Sequence, residues 1–198
     1  MARSVGQHHG DLRRALIEAT VGLLEEGERA PSLRLVARRA GVSPAAPYHH
    51  FGSRDGMMAA VAEAGFEALA EVQLAALSTE TEPQDRLAAM TAAYVRFGAD
   101  HPAHYEVLFG AGLDAKETPD SLRDAALATF ERLVEAVRAC RPELDAADVR
   151  ARARSAWATA HGAVVLARMQ AFGPLGGDPS PEGVSDEVSK AILRDVLG

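Results

Sequence analysis

Apolar residues recur every three or four positions along nearly the whole chain, which is the spacing of one face of an α-helix. Leu12, Leu16, Ala19 and Leu23 show this spacing first, and no clean alternation of apolar and polar residues indicates a β-strand. Ala, Leu, Arg and Glu, which favour helices, dominate the composition. The pattern therefore predicts an all-α fold of about nine helices.

Capping residues and prolines divide this pattern into segments. Ser32, Ser43 and Ser53 are expected to cap the second, third and fourth helices, and Asp145 the eighth. Gly27 is expected to end the first helix. A loop is expected at 110–118. The predicted helices, in chain order, are about 11–26, 32–40, 43–50, 53–77, 84–100, 102–109, 118–140, 145–172 and 181–197.

The segment from Ala37 to Val42 has the spacing of a helix-turn-helix. Ala37 is small enough for a close helix crossing, Gly41 can adopt the positive φ of the tight turn, and Val42 can pack beneath it. The helix that follows has short side chains and then Tyr48 and His49, a surface that fits a DNA major groove. The same spacing also fits an ordinary helical hairpin within a bundle, so both interpretations stay open on this segment alone.

The wider context resembles the DNA-binding head of the tetracycline-repressor (TetR, AcrR-like) family of bacterial transcription regulators. The resemblance is carried by Gly41-Val42-Ser43, then Tyr48-His49-His50-Phe51, then Ser53-Arg54-Asp55 before a long helix. It implies an N-terminal three-helix helix-turn-helix DNA-binding domain at 1–54 and a C-terminal helical ligand-binding and dimerisation domain at 55–198. The implied DNA-binding residues are Arg34, Ser43, Pro44, Ala45, Ala46, Tyr48, His49 and Arg54.

The resemblance also implies roles within that set. Residues 43–49 would form the recognition helix. The residues that would contact DNA phosphates are Tyr48, His49, Arg54 and Arg34. Two departures from the family pattern matter: Pro47 replaces a commoner aliphatic residue, and Ala45-Ala46 provide no polar side chain for base hydrogen bonds. Recognition of a particular DNA sequence is therefore expected to depend on contacts with thymine methyl groups, on neighbouring residues such as Ser43, and on DNA shape.

A second resemblance lies in the C-terminal half. Trp157, His161 and Gly162, together with the segment YEVLFG at 105–110, are similar to the Trp-His-Gly subgroup of the family. This implies a small-molecule effector and a homodimer through the last two helices. The expected ligand-binding residues, each of which would also suit plain core packing, are Tyr94, Phe97, Tyr105, Phe109, Phe130, Trp157 and His161.

Positions on the last two helices add three expectations. Trp157 falls on a helical stripe that also contains Val149, Ala153 and Val164, which predicts that it is buried. His161, one turn further on, is either a satisfied core histidine or a donor in a pocket wall. On the last helix, Val188 and Ile192 belong to an apolar stripe that we expect to bury against a partner subunit.

Charge is distributed unevenly. The formal net charge of −7 argues against a nucleic-acid partner, but residues 1–55 contain eight arginines and six acidic residues, whereas the remainder contains 13 basic and 22 acidic residues. The first segment therefore carries +2 and the rest −9, which suggests an anion-binding head on an acidic body.

Several classes of protein are excluded or disfavoured. The single Cys140 rules out an internal disulfide framework, and neither a P-loop nor a nucleophile-elbow sequence occurs, so no cofactor, metal or enzymatic activity is expected. With no 18-residue apolar run and no signal-like N-terminal stretch, a cytoplasmic protein is expected. The expected function is a repressor released from its DNA operator by a small, mostly apolar molecule. The alternatives are a helical carrier or enzyme without operator binding, or a ligand-dependent activator.

Overall fold

The computed structural model describes residues 5–109 and 118–198, and within these ranges all regular secondary structure is helical. This confirms the all-α prediction. The expected loop at 110–118 lies outside the described residues except for Thr118. The helices are α1 (Val5–Glu25), α2 (Leu33–Arg39), α3 (Ala46–Phe51), α4 (Arg54–Leu77), α5 (Pro83–Asp100), α6 (Pro102–Phe109), α7 (Asp120–Cys140), α8 (Ala146–Arg168) and α9 (Pro181–Leu197), with a 3-10 turn at Gly173–Leu175.

Side-chain caps begin several of these helices. Three of the predicted caps are confirmed, and a further cap begins α9; each side-chain oxygen accepts a hydrogen bond from the backbone N–H three residues later, at 2.9–3.2 Å. Such a cap satisfies a backbone donor that the helix itself leaves without a partner. The capping residues are Ser32, Ser53, Asp145 and Ser180.

The predicted ends of two long helices are wrong. α1 begins at Val5 rather than near residue 11, since the sequence has no proline between Val5 and Asp11 to interrupt the helix. α8 ends at Arg168 rather than near residue 172, because Gln170 adopts the left-handed φ of +56°. The N–H of Ala171 then bonds to the carbonyl of Leu166 at 2.9 Å, which closes the end of the helix.

The predicted start of the recognition helix is also wrong. We expected Ser43 to cap it, whereas α3 begins at Ala46 after Ala45, and no side chain caps it. Pro47 explains the later start. A helix beginning near residue 43 would require the N–H that Pro47 lacks, whereas a helix beginning at Ala46 places Pro47 in the first turn, where no such donor is needed.

The chain packs as two compact units, which are Met1–Gly65 with Pro102–Arg123, and Phe66–His101 with Asp124–Gly198. Both α4 and α7 have residues in each unit. Packing therefore groups α6 with the N-terminal helices. The functional boundary after residue 54 stays a prediction.

The first unit is built around α1. Leu16 and Val36 are fully buried in a cluster with Met57, and Val42 and Phe51 pack against it. These residues come from α1, from α2, from α3 and the turn before it, and from the start of α4, so one cluster holds the helix-turn-helix together. A neighbouring cluster joins α1 and α4 to α6, with Ile17, Val21, Ala60, Val61 and Ala103 as members.

The second unit is centred on α5, α8 and α9, which pack against one another. The face that α8 buries is formed mostly by alanines, and Ser189 of α9 donates a hydrogen bond to the carbonyl of Ala88 on α5 at 3.2 Å. The apolar stripe of α9, including Val188 and Ile192, is buried within this same chain. The expectation that this stripe buries against a partner subunit is therefore wrong.

Gly56 provides a test of the α3–α4 junction. A Cβ atom at this position would clash with the carbonyl oxygen of Phe51. We expect Gly56→Ala to lower the free energy of unfolding by about 1–3 kcal/mol, because the backbone must shift to make room. Urea denaturation followed by circular dichroism measures this. Gly173→Ala is the control, since a Cβ there meets no described atom within 4 Å, and equal stability of the two variants would contradict the prediction.

Candidate functional site

The turn between α2 and α3 has the geometry that the sequence predicted. Gly41 adopts a φ of +68°, which a residue with a side chain rarely adopts. The N–H of Val42 bonds to the carbonyl of Ala37 at 3.0 Å, and Ala37 is almost completely buried where the helices cross. These contacts fix the turn between α2 and α3 and define a helix-turn-helix.

Most of the predicted DNA-binding side chains are exposed on this unit. Ala46 is half-buried and the neighbouring Pro47 is buried, which anchors the first turn of α3. Tyr48 is 51% exposed although it is a large aromatic residue. The other exposed members of the set are Arg34, Ser43, Pro44, Ala45, His49 and Arg54. Whether each contacts DNA stays a prediction.

The arginines of this unit divide into two groups. Arg39 forms two hydrogen bonds of 2.7 Å with the Glu26 carboxylate, which lowers the pKa of Glu26, and Arg13 bonds to Glu63 at 3.2 Å. The first pair ties α2 to the residue that follows α1, and the second ties α4 to α1. Arg34 is directed to solvent instead.

Sequence reasoning missed one exposed arginine of the same kind. Arg38 lies four residues after Arg34 on α2, so both side chains extend from the same face of the helix, and both are exposed. That spacing was visible in the sequence and is the signal that would have identified it. Arg54, at the start of α4, has its guanidinium 3.9 Å from the carboxylate of Asp55.

The second candidate site is a line of rings in the second unit. The Tyr94 hydroxyl lies 3.3 Å from Nδ1 of His161, and Tyr94 is 5% exposed. The ring of His161 is 6.0 Å from that of Trp157, which in turn meets Phe130 edge-on at 6.4 Å. Burial lowers the pKa of His161, which favours the neutral imidazole. The line of rings therefore runs from the buried hydroxyl of Tyr94 to the partly exposed rings of Trp157 and Phe130 on α8 and α7.

The prediction that Trp157 is buried is wrong, since its side chain is 41% exposed. The buried face of α8 is centred on Ala153, Ala156 and Ala160, and Trp157 lies at its edge. Small side chains on that face let α5 and α9 approach, whereas an indole ring there would hold them apart.

The remaining residues predicted to bind the ligand belong to different units of the chain. Phe97 is buried in the second unit, with its ring 4.8 Å from that of His101. Tyr105 and Phe109 belong to the first unit, where their rings lie 4.9 Å apart. Sequence reasoning missed Arg150, whose guanidinium lies 5.7 Å from the ring centre of Phe130. Because these partners are on different helices, no spacing in the sequence indicated the contact.

Residues 5–109 and 118–198 contain neither a metal-binding cluster nor a membrane-spanning helix. No group of three or more His, Cys, Asp or Glu side chains there is placed to hold a metal ion. No helix in these ranges is both long enough and apolar enough to cross a membrane.

A helix-turn-helix followed by a helical second unit defines the class of DNA-binding transcription regulators, which are not enzymes. The family model described as "Bacterial regulatory proteins, tetR family" matches residues 16–61. A second family model, described as "Tetracyclin repressor-like, C-terminal domain", matches residues 87–188, which is more than half of the chain. The chain therefore belongs to the TetR family of bacterial regulatory proteins. The matched descriptions do not name the Trp-His-Gly subgroup, which stays a prediction.

Individual relatives agree with this assignment. The chain is 33% identical over 89 residues to the HTH-type transcriptional regulator BetI of Rhizobium meliloti, a match that covers 44% of this chain and 43% of BetI. The matched stretch therefore spans less than half of that curated relative.

Solved structures match over nearly the whole chain. A protein of unknown function from a Rhodococcus species is 30% identical with a TM-score of 0.80, covering 96% of this chain and 98% of that one. The TetR family transcriptional regulator PfmR from Thermus thermophilus is 22% identical with a TM-score of 0.64, covering 91% and 97%. The second likeness supports the fold alone.

The lowered pKa of His161 predicts a pH dependence of stability. Because its pKa in the folded state lies below the ordinary value of 6.5, the unfolded chain binds a proton more readily, and stability falls as the pH is lowered from about 7 to 5. We expect His161→Gln to lose less stability than the wild type over this range. Urea denaturation at pH 7.5 and 5.5 measures both, and an equal loss in the two proteins would contradict the prediction.

Proposed function

We propose that this protein is a homodimeric, ligand-responsive repressor that binds a DNA operator with two copies of its helix-turn-helix. The observation that carries the proposal is the exposed surface of α2 and α3, which has the turn geometry of a helix-turn-helix and lies within the matched family region. Two heads would reach successive major grooves, about 34–36 Å apart along one turn of DNA. Binding to the chromosome also implies that the protein acts in the cytoplasm.

Electrostatics constrain how such a complex forms. The net charge of −7 opposes approach to DNA, so attraction must come from a few outward-facing cations of the first unit. Arg34, Arg38 and Arg54 are exposed there, and none of them is held in a close bidentate pair of the kind that Arg39 forms. Each phosphate that they neutralise releases counterions, which makes binding sensitive to salt.

The exposed face of α8 supports a dimer. Val165 and Leu166 of α8 and Met169, the residue that follows the helix, are 38%, 43% and 71% exposed, and Gly162 on the same face has no described atom within 4 Å of a Cβ position. Large exposed apolar side chains beside a glycine suit a close crossing with a second helix. We place the interface on α8 with a contribution from α9, although the buried stripe of α9 takes no part in it.

The effector site is placed in the C-terminal region. The Tyr94–His161 contact and the neighbouring rings of Trp157 and Phe130 form a mostly apolar surface with a few polar groups, as small-molecule sites usually do. Binding of an apolar molecule would favour a state of the dimer in which the heads no longer fit the operator, which is a population shift. Release from DNA follows from that shift.

Removal of the proposed phosphate contacts tests DNA binding. We expect Arg34→Ala, Arg54→Ala and Tyr48→Ala each to weaken binding to the protein's own upstream DNA. Each arginine variant should also reduce the slope of log K against log salt by about 2, because one phosphate in each half-site is no longer neutralised. Fluorescence anisotropy at several salt concentrations measures both quantities. Arg138→Ala, an exposed arginine in the last turn of α7, is the control.

Two results would overturn the proposal. One is the absence of a salt-sensitive, sequence-preferring complex with the wild-type protein at submicromolar concentration. The other is an equal effect of Arg138→Ala and the α2–α4 variants on affinity. Unchanged circular dichroism of each variant establishes that a loss of binding does not come from unfolding.

Charged substitutions on α8 test the dimer. We expect Leu166→Glu with Met169→Glu to give a monomer, because burying two carboxylates in an apolar interface is strongly unfavourable. Sedimentation velocity measures the molecular mass in solution. Leu127→Glu on α7 is the matched control, since Leu127 is 51% exposed but lies on a different helix. A dimer that persists in the double variant contradicts this interface.

A ligand-dependent activator is the second candidate, because the same geometry supports both directions of control. A reporter gene placed behind the bound upstream DNA distinguishes them. Deletion of the regulator raises expression if it is a repressor and lowers effector-dependent expression if it is an activator.

A further inference from the structure

We propose that the recognition surface selects its operator chiefly through the 5-methyl groups of thymines, which contact the side chains of Pro44 and Ala45. The inference rests on the proposed function and names what the helix-turn-helix reads. It concerns the surface between Gly41 and Gly52, the two positive-φ positions that bound this segment.

The exposed side chains of this segment set the available chemistry. Ser43, Pro44 and Ala45 are consecutive and exposed just before α3, and the N–H of Ala46 bonds to the carbonyl of Ser43 at 3.0 Å, which makes the three residues a single turn. On α3 itself, Pro47 is buried and the exposed polar groups are those of Tyr48 and His49. The centre of the surface is therefore apolar, with polar groups only at its two ends.

That composition excludes the usual ways of reading bases by paired hydrogen bonds. Guanine is read by Arg or Lys, adenine by Asn or Gln, and cytosine by Asp or Glu, and none of these residues occurs between Val42 and Gly52. The thymine methyl is the one apolar group on the major-groove edge of the base pairs. Ala45 is the N-cap of the recognition helix and Pro44 the residue before it, so both present carbon atoms beside the N-terminal end of that helix, which is the end that contacts base edges in this motif.

The backbone supports a close approach. Ala45 has helical φ and ψ of −79° and −24°, and its side chain is a single exposed methyl group. No long side chain from positions 43–46 would hold this turn away from the floor of the groove. Methyl-to-methyl contact excludes water from both partners, which is the source of the discrimination.

The experiment uses the full chain and two random duplex libraries, one amplified with dTTP and one with dUTP, which differ only in the thymine methyl group. We expect the dTTP library to yield a binding motif with thymine in each half-site, and the dUTP library to enrich poorly. On defined duplexes of that motif, loss of one buried methyl changes affinity about fourfold, so replacing one contacted thymine by uracil in both half-sites weakens binding on the order of tenfold.

A methyl group restored on a different base at the same position provides the matched control. Replacing the contacted T·A pair by C·G is expected to weaken binding, and 5-methylcytosine at the same position is expected to restore part of the loss. The salt dependence of binding stays unchanged throughout, because no phosphate contact is altered.

A variant of this chain links the effect to the proposed residue. Ala45→Gly removes the methyl group while its backbone conformation stays accessible to glycine, so we expect the affinity ratio between thymine and uracil duplexes to fall towards one. Ala147→Gly, at an exposed position in the first turn of α8, is expected to leave that ratio unchanged.

Each remaining outcome counts against the inference. Equal affinity for thymine and uracil duplexes overturns it and leaves the repressor proposal standing. A loss caused equally by uracil outside the contacted positions shows shape readout instead, and an unchanged ratio in Ala45→Gly removes the contact assigned to Ala45. Failure of both libraries to enrich any sequence overturns the repressor proposal together with this one.

Discussion

The proposed DNA-reading surface depends on a six-residue helix that cannot be stable by itself. Forming the first turn of a helix is unfavourable, and α3 is too short to recover that cost from its own hydrogen bonds. Its position is therefore imposed from both ends. Gly41 turns the chain before it and Gly52 after it, while Val42 and Phe51 pack into the core cluster below.

The same constraint explains how the arginines of the first unit are used. A surface that contacts DNA must keep cations in solvent, but the short helices must also be held in place. Arg39 and Arg13 help to hold the short helices in place by pairing with Glu26 and Glu63. The other exposed arginines of α2 and α4 stay in solvent, where they are available to DNA. Net charge alone is a poor guide here, since it averages these roles with an acidic remainder.

In the second unit, the size of side chains decides what is buried. Alanines on α8 admit α5 and α9 at close range, and the stripe of α9 is consumed in that packing. The large side chains that do not fit this packing stay exposed. Trp157 lies at the edge of the alanine face, and Val165, Leu166 and Met169 lie on a different face. The candidate effector surface and the proposed dimer interface both follow from this one arrangement.

The sequence by itself determined the helical fold, the caps at Ser32, Ser53 and Asp145, and the turn at Gly41, because these depend on residues at most a few positions apart. Tertiary structure alone decided which apolar face packs where. Periodicity placed Trp157 on the buried side of α8, but a neighbouring alanine fits that space and an indole does not. The pairing of Arg150 with Phe130 likewise joins helices that are distant in sequence. The start of α3, by contrast, followed from the N–H that Pro47 lacks, which is a local signal that the sequence contained. Local signals act through the backbone, whereas burial depends on the volume that distant segments leave free.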